Sequence, residues 1–293
     1  MCIFANDFYI VGRYNKRKEV VLMKTIAITG ASGILCREFS ISLAKSGHKI
    51  ALIARNTDKL KELESEIVSS GYIAKSYTAD VTDSTQINAI HNAILKDFGP
   101  CDILINGAGG NHPLASTKNE YHTDNTNESE LNFFNLKQEG FSQVFDINLW
   151  GTVLPCQVFA KDMIGRKGCC ILNISSMAAF SPLTKTPAYC AAKAGISNFT
   201  QWLAVHLAPA GIRVNAIAPG FFLTQQNHHL LFEDDGTPAP RADKILNNTP
   251  MGRFGKPQEL IGALNFLLDE DKASFVTGCI LPVDGGFSAY SGV

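Results

Sequence analysis

From Lys24 onward, short apolar runs alternate with segments of helical period, and this alternation constrains the fold more than any other feature of the chain. Thr25-Ile26-Ala27-Ile28-Thr29, Lys49-Ile50-Ala51-Leu52-Ile53-Ala54, residues 73–79 and residues 102–106 read as four successive strands. Later apolar runs lie at 168–174, 213–217 and 279–283. Between them, apolar residues recur every three or four positions, as in Leu60, Leu63 and Ile67, which is the mark of a helix with one buried face. Asn56 or Thr57 is placed to cap that helix, and further helices are expected over 84–96 and 188–208. Strands that alternate with helices form βαβ units and a parallel sheet. Near-continuous apolar strands fit a sheet covered on both faces. The expected fold is therefore α/β: one Rossmann-type, doubly wound parallel sheet spanning residues 23–293.

Composition excludes several classes. With 293 residues, 45% hydrophobic and 18% charged, the chain can bury one large core. A formal net charge of −1 gives no global attraction to nucleic acid or a membrane surface, and no apolar run reaches membrane-span length. The eight cysteines form no Cys-x-x-Cys pair. They read as buried free thiols of a reducing cytoplasm, with no structural metal. Residues 1–22 stand apart, with a basic cluster at Arg13-Tyr14-Asn15-Lys16-Arg17-Lys18 after the apolar segment, the wrong order for a signal peptide. Lys18-Glu19-Val20 is what a ribosome-binding sequence encodes when translated in frame, so Met23 is the expected natural start.

Two stretches break the rhythm. Residues 110–140 are long, polar and poor in apolar period, and leave the carboxyl end of the fourth strand. Residues 221–248 follow Ala218-Pro219-Gly220 at the end of another. Open α/β sheets bind ligands at the carboxyl ends of their strands, so both are expected to face one cleft as substrate loops.

A nucleotide site is expected at the first strand's end. Thr29-Gly30-Ala31-Ser32-Gly33, with Ile34 opening the helix, joins a strand to a helix N-terminus, where backbone N–H groups suit a pyrophosphate. Asp80-Val81 could meet an adenine, although Asp80 could equally cap a helix. Asn106-Gly107-Ala108-Gly109 lets backbone approach a cofactor closely, and Pro219 and Gly220 close the far side. A site built for NAD(H) usually places a carboxylate after the second strand. This chain has Ala54-Arg55-Asn56, which favours the 2′-phosphate of NADP(H) and leaves NAD(H) open.

Tyr189 and Lys193 name the chemistry. Four apart on a helix, they share a face, and an ammonium beside a phenol is expected to lower the tyrosine pKa toward that of a general acid or base. Ser176, at the end of an apolar run, could hold a substrate oxygen within the phenol's reach. Alone, such a pair is more often a surface contact, and the rest of the chain decides.

Together these residues resemble the short-chain dehydrogenase/reductase family from about Lys24 to about Phe287. The motifs are Thr29-Gly30, Asp80, Asn106-Gly107-Ala108-Gly109, Ile147-Asn148-Leu149, Ser175-Ser176, Tyr189-x-x-x-Lys193, Pro219-Gly220 and Val283-Asp284-Gly285-Gly286. The resemblance implies a hydride-transferring oxidoreductase in which Tyr189 is the acid/base and Lys193 lowers its pKa and holds the nicotinamide ribose. It also implies that Ser176 orients the carbonyl, that Asn148 holds a relay water, and that the chain assembles as a homotetramer. The chain departs from the pattern where Ile34 and Cys36 stand in place of two glycines of the turn, a role Gly33 is expected to assume for the first.

A narrower likeness lies in Asn106 to Pro113, the insert after it, Phe159-Ala160-Lys161-Asp162-Met163, residues 197–205 and residues 245–250. These resemble the short-chain type of D-mannonate oxidoreductase, or fructuronate reductase, and imply a sugar-acid substrate, D-fructuronate or D-mannonate. A polyol, a ketogluconate or a 3-oxoacyl thioester is the alternative, and a non-catalytic nucleotide-binding protein a third possibility. The polar insert argues against an acyl chain. A hexuronate needs a cation for its carboxylate and donors for its hydroxyls. Asn111, His112 and Lys185 are the preferred contacts, with Gln226, Asn227, His228 and Arg241 in the same cleft-bordering segments. Arg253 reads as structural.

Overall fold

The computed structural model describes residues 22–127, 129–223, 231–233 and 237–292. Met1–Leu22, apart from Leu22 itself, and Gln226, Asn227 and His228 lie outside the described residues. The elements run β1 (Thr25–Thr29), α1 (Ile34–Lys45), β2 (Lys49–Ala54), α2 (Thr57–Ser69), β3 (Ile73–Thr78), α3 (Ser84–Phe98) and β4 (Ile103–Asn106). Then come α4 (Gln138–Phe145), α5 (Gly151–Met163), β5 (Cys170–Ile174), α6 (Pro187–Leu207) and β6 (Arg213–Pro219). The chain ends with α7 (Pro240–Asn247), α8 (Ile261–Leu268) and β7 (Ile280–Val283).

The strands form one seven-stranded sheet in the order β3-β2-β1-β4-β5-β6-β7, and every pairing is parallel. Alternate side chains of a strand point to opposite faces, and here both faces are covered. Ile26 and Ile28 join a core packed under α1, α2 and α8. Ala27 joins the opposite core under α3, α5 and α6. Asn56 caps α2 by accepting from Lys59 N at 3.0 Å, and Asp83 caps α3 by accepting from Thr85 N and Gln86 N. Asp80 is therefore not the helix cap. Its Oδ1 accepts from the Thr82 amide and hydroxyl, forming a turn ahead of α3.

The sequence period left four helices unread: α4, α5, α7 and α8. α5 buries residues all round, Leu154, Pro155, Cys156, Val158 and Phe159 among them, so no polar face marks it. The insert ends at Lys137, because α4 begins at Gln138; Gly140 lies inside that helix, against Leu114 and Ala115. The second break holds α7, with Pro240 in its first turn and Ala242 and Ile245 buried. A proline at a helix start and an apolar i, i+3 pair were visible signals. Among the described residues, no helix is long and apolar enough to cross a membrane, and no cluster of His, Cys, Asp and Glu could hold a metal ion.

The direction in which strands are added reverses between β3 and β4, which flank the pair β2-β1 on opposite sides. The crevice of such a sheet opens at that reversal, beyond the carboxyl ends of β1 and β4. The site is built there.

Candidate active site

β5 is buried along its length and delivers Ser175 and Ser176 to the sheet's carboxyl edge. α6 starts at Pro187, whose missing N–H is no loss in a first turn. It buries Lys193, Ile196 and Thr200 along with Ala188 and Ala192, the latter two packed against Val144 of α4 and Ala115 of the segment before it. Ser175 fixes helix to strand: its hydroxyl donates to the Lys193 carbonyl at 3.2 Å and shares a 2.7 Å bond with Ser197. Ser176 is extended, and its hydroxyl accepts from Ala178 N at 3.1 Å. The Ser176 side chain also lies near enough to the Tyr189 phenol to act on its pKa. Serine, tyrosine and lysine therefore converge.

The electrostatics differ from expectation at one point. Lys193 was expected to pull the tyrosine pKa down. Its ammonium lies 5.7 Å from the centre of the Tyr189 ring and donates to the Ile174 carbonyl at 2.8 Å instead. Burial pushes the Tyr189 pKa up, and the Ser176 side chain acts against that rise. Lys193 itself is only 5% exposed, and burial pulls its pKa down to about 8, with the Cys36 thiol opposing weakly. Desolvation disfavours the charged form of each group, and among the described residues no carboxylate pairs with Lys193. The amine points beneath the loop after β4, 3.4 Å from where a side chain on Gly109 would begin.

That loop is locked on both sides. Thr29 is fully buried, and its hydroxyl accepts from Gly107 N and Ala108 N at 3.1 and 3.3 Å. Thr29 thus ties the end of β1 to the loop after β4. Asn148 lies in a π-helical turn, Asp146–Trp150, between α4 and α5. Its side-chain amide donates to the Gly110 carbonyl at 2.7 Å while its side-chain oxygen accepts from Gly110 N at 3.2 Å. Its backbone carbonyl accepts from the Thr152 hydroxyl.

The glycine turn fits a pyrophosphate. Gly30 has φ +66, and a side chain there would meet the Gly107 and Ala108 backbone at 2.7 Å. Gly33 closes the turn on the Gly30 carbonyl at 2.8 Å and starts α1, whose first turn has neither a side-chain cap nor an acidic residue. Uncapped N–H groups at a helix N-terminus attract an anion. Ser32 and Ile34 border this turn, half-buried. Cys36 explains the missing third glycine: its sulfur fills the space that a side chain on Gly107 would claim, 2.1 Å from that position. Val81 is buried, against Gly151 of α5. Asn106 is buried and donates to Asn173 and Cys156, and its carbonyl oxygen has no protein partner. Pro219 ends β6, and Gly220 donates to the Val283 carbonyl, closing the loop against β7. Arg55 follows β2, exposed, 3.8 Å from the Asp80 carboxylate, a partner the sequence did not suggest.

Of the three preferred substrate contacts, Asn111 and His112 lie on the segment after β4, and Lys185 lies between β5 and α6. Asn111 donates to Ser116 Oγ at 2.9 Å. His112 Nδ1 accepts from Leu114 N at 3.2 Å, which assigns the ring proton of the neutral form to Nε2. Lys185 is exposed and has φ 68. It lies at the rim of a cavity of about 520 Å³ with Thr117 and Phe133 of the insert. Arg253 forms a two-pronged ion pair with Glu259, in keeping with a structural role. The site also uses Ser197 and Cys36, whose partners Ser175 and Gly107 are distant in the chain, and Thr152, which bonds four residues back to Asn148.

Comparison with known proteins follows the same lines. The model of the family described as short chain dehydrogenase matches residues 24–234. An uncharacterized oxidoreductase of Haemophilus influenzae is 56% identical over 92% of this chain and 95% of its own length. One of Bacillus subtilis is 50% identical over 92% and 96%. A crystal structure of a Haemophilus influenzae protein proposed to be a D-mannonate oxidoreductase, with NAD bound, superposes with a TM-score of 0.90. It is 56% identical and covers 92% of this chain and 96% of its own.

Proposed function

The chain belongs to the short-chain dehydrogenase family, an NAD(P)-dependent oxidoreductase by that membership, and we propose that it interconverts D-fructuronate and D-mannonate. The observation that carries the catalytic part is the convergence of Ser176, Tyr189 and a buried, carboxylate-free Lys193 beneath the loop after β4. The uncapped α1 N-terminus and the glycine cradle at Gly30 and Gly109 fit a dinucleotide. When bound, the nicotinamide supplies the hydride for reduction or accepts it for oxidation.

The chain's own residues handle the proton. In reduction, Ser176 donates a hydrogen bond to the substrate carbonyl oxygen and sets it against the phenol. Tyr189 gives its proton to that oxygen as negative charge develops there, so hydride and proton together complete the alcohol. Lys193, whose buried charge the polar hydroxyls of a nicotinamide ribose would help to solvate, stabilises the resulting phenolate. Asn148 holds the loop through Gly110, and the second lone pair of its carbonyl is left for a water of the relay that returns the proton. Asn111 and His112 donate to substrate hydroxyls, and Lys185 meets the carboxylate.

NADP(H) is the favoured cofactor because Arg55 stands where a carboxylate would otherwise select NAD(H). The Asp80 carboxylate beside Arg55 and the NAD held by the Haemophilus influenzae relative support NAD(H) as the alternative. A homo-oligomer, a tetramer in the family's manner, is the proposed assembly, with the cytoplasm as its compartment. The test compares turnover of D-fructuronate, a neutral ketose and a 3-oxoacyl thioester, each with NADH and with NADPH. A preference for D-fructuronate supports the sugar-acid reading, and a faster neutral ketose or thioester replaces it.

A further inference from the structure

The sheet places β5 between β4 and β6. Segments leaving β4 and β6 therefore flank the loop after β5 that carries Ser176. One ion pair spans that mouth: Lys244 Nζ lies 2.9 Å from each carboxylate oxygen of Glu120. Glu120 belongs to the insert after β4, and Lys244 to α7 after β6.

Neither end of the bridge is loose. On the insert, Thr117 N donates to the Lys185 carbonyl at 2.9 Å, and Lys118 N to the Leu131 carbonyl at 2.7 Å. On α7, Ala242 and Ile245 are buried against Leu231. A third charge stands beside them. Lys185 is the one non-glycine residue with positive φ among the described residues, a conformation that a side-chain residue keeps only where its neighbours impose it. Lys185 is in no ion pair among the described residues, yet its charge adds to that of Lys244 in holding the Glu120 carboxyl below the usual carboxylate range.

An exposed ion pair of this kind contributes little to stability, and Lys244 is 65% exposed. Its consequence is the charge balance at the mouth. Two ammonium groups and one carboxylate leave one positive charge, and the geometry decides which lysine carries it. We propose that Lys244 is a positioning residue for anionic substrates: by holding Glu120 across the mouth over β5, it leaves the Lys185 ammonium to a substrate carboxylate. This deepens the sugar-acid reading and rests on it for the identity of the anion. Without Lys244, Glu120 turns to Lys185 and competes with the substrate.

The experiment compares wild type, Lys244→Ala, Lys244→Arg and the double variant Glu120→Gln/Lys244→Ala. Lys244→Ala should raise KM for D-fructuronate about tenfold while kcat stays within about twofold and cofactor affinity is unchanged, the pattern of lost substrate binding alone. Lys244→Arg should restore KM. The double variant should restore it too, because the competing carboxylate has lost its charge. A bridge acting only as a structural tie would leave the double variant as weak as the single one, and that result overturns the proposal, as does an unchanged KM in Lys244→Ala. A second readout needs no substrate: acetylation of Lys185 by sulfosuccinimidyl acetate, an anionic reagent, followed by peptide mass spectrometry. Labelling should slow several-fold in Lys244→Ala and recover in the double variant; equal rates in all three overturn the proposal. If wild type fails to turn over D-fructuronate while the labelling order holds, the hexuronate reading falls and the bridge stands.

Discussion

A charged amine buried without a counter-ion opposes folding, and Lys193 is such an amine. Its pKa is pulled to about 8 from an ordinary 10.5. Between those values the unfolded chain binds more protons than the folded one, so this group makes stability rise with pH across that window; below it, folding must bury the charge. Lys193→Met should therefore abolish turnover yet stabilise the cofactor-free protein near neutral pH by on the order of 2 kcal/mol, a gain that fades toward pH ~10.5. Thermal unfolding of both proteins across that range checks it, and a less stable variant at neutral pH contradicts it. A second residue-scale prediction concerns Gly107 and Cys36. Gly107→Ala brings a methyl onto the Cys36 sulfur and should cost about 1–3 kcal/mol. Cys36→Gly in the same chain should return part of that loss. Denaturant unfolding of the single and double variants tests the pair, and equal losses would exclude this contact as the cause. The convergence of Tyr189, Lys193 and Ser176 was legible because their spacing lies on one helix and one strand end. The direction of the tyrosine shift was not, because it depends on how deeply α6 is buried and where the Lys193 amine points. Neither quantity is encoded in a four-residue interval.

At the scale of elements, α1 carries the sharpest test. Gly33 begins it with φ −79, a conformation open to any residue, and offers no side-chain cap. Gly33→Asp should change the stability of the cofactor-free protein by less than about 1 kcal/mol, because a cap worth a few tenths is set against a Cβ 3.1 Å from the Gly30 carbonyl, while its carboxylate repels a pyrophosphate and lowers cofactor affinity at least about tenfold. A variant that merely misfolds would lose stability along with affinity. Calorimetric titration with NADH and NADPH alongside a melting curve measures both, and unchanged affinity would place the anion elsewhere. The strands and the helices α1, α2, α3 and α6 were legible from their periods, and so was the glycine turn; α4, α7 and α8 were not, although α7 carried a proline start and an apolar pair. α5 was hidden by its burial on all sides, and the Glu120–Lys244 bridge by a separation of 124 residues.

For the whole molecule, the parallel sheet with both faces covered follows from alternation alone, and the position of the cleft from the strand order. Assembly follows less directly. α6 exposes Trp202 at 57% and Val205 at 77%, and Trp202 stacks between Phe199 and His206. Exposed apolar surface of this kind suits an interface. Light scattering on a sizing column should give a tetramer, and Val205→Asp should shift it to smaller species; a monomeric wild type rejects the proposed assembly. The central claim is that Ser176, Tyr189 and Lys193 form a proton-transfer site working with a nicotinamide on a sugar acid. It is tested most directly by following the absorbance of NADH or NADPH with D-fructuronate, in wild type and in Tyr189→Phe. The account predicts oxidation by wild type and none by Tyr189→Phe, although the variant still binds the cofactor. A Tyr189→Phe protein that turns over at the wild-type rate would contradict it.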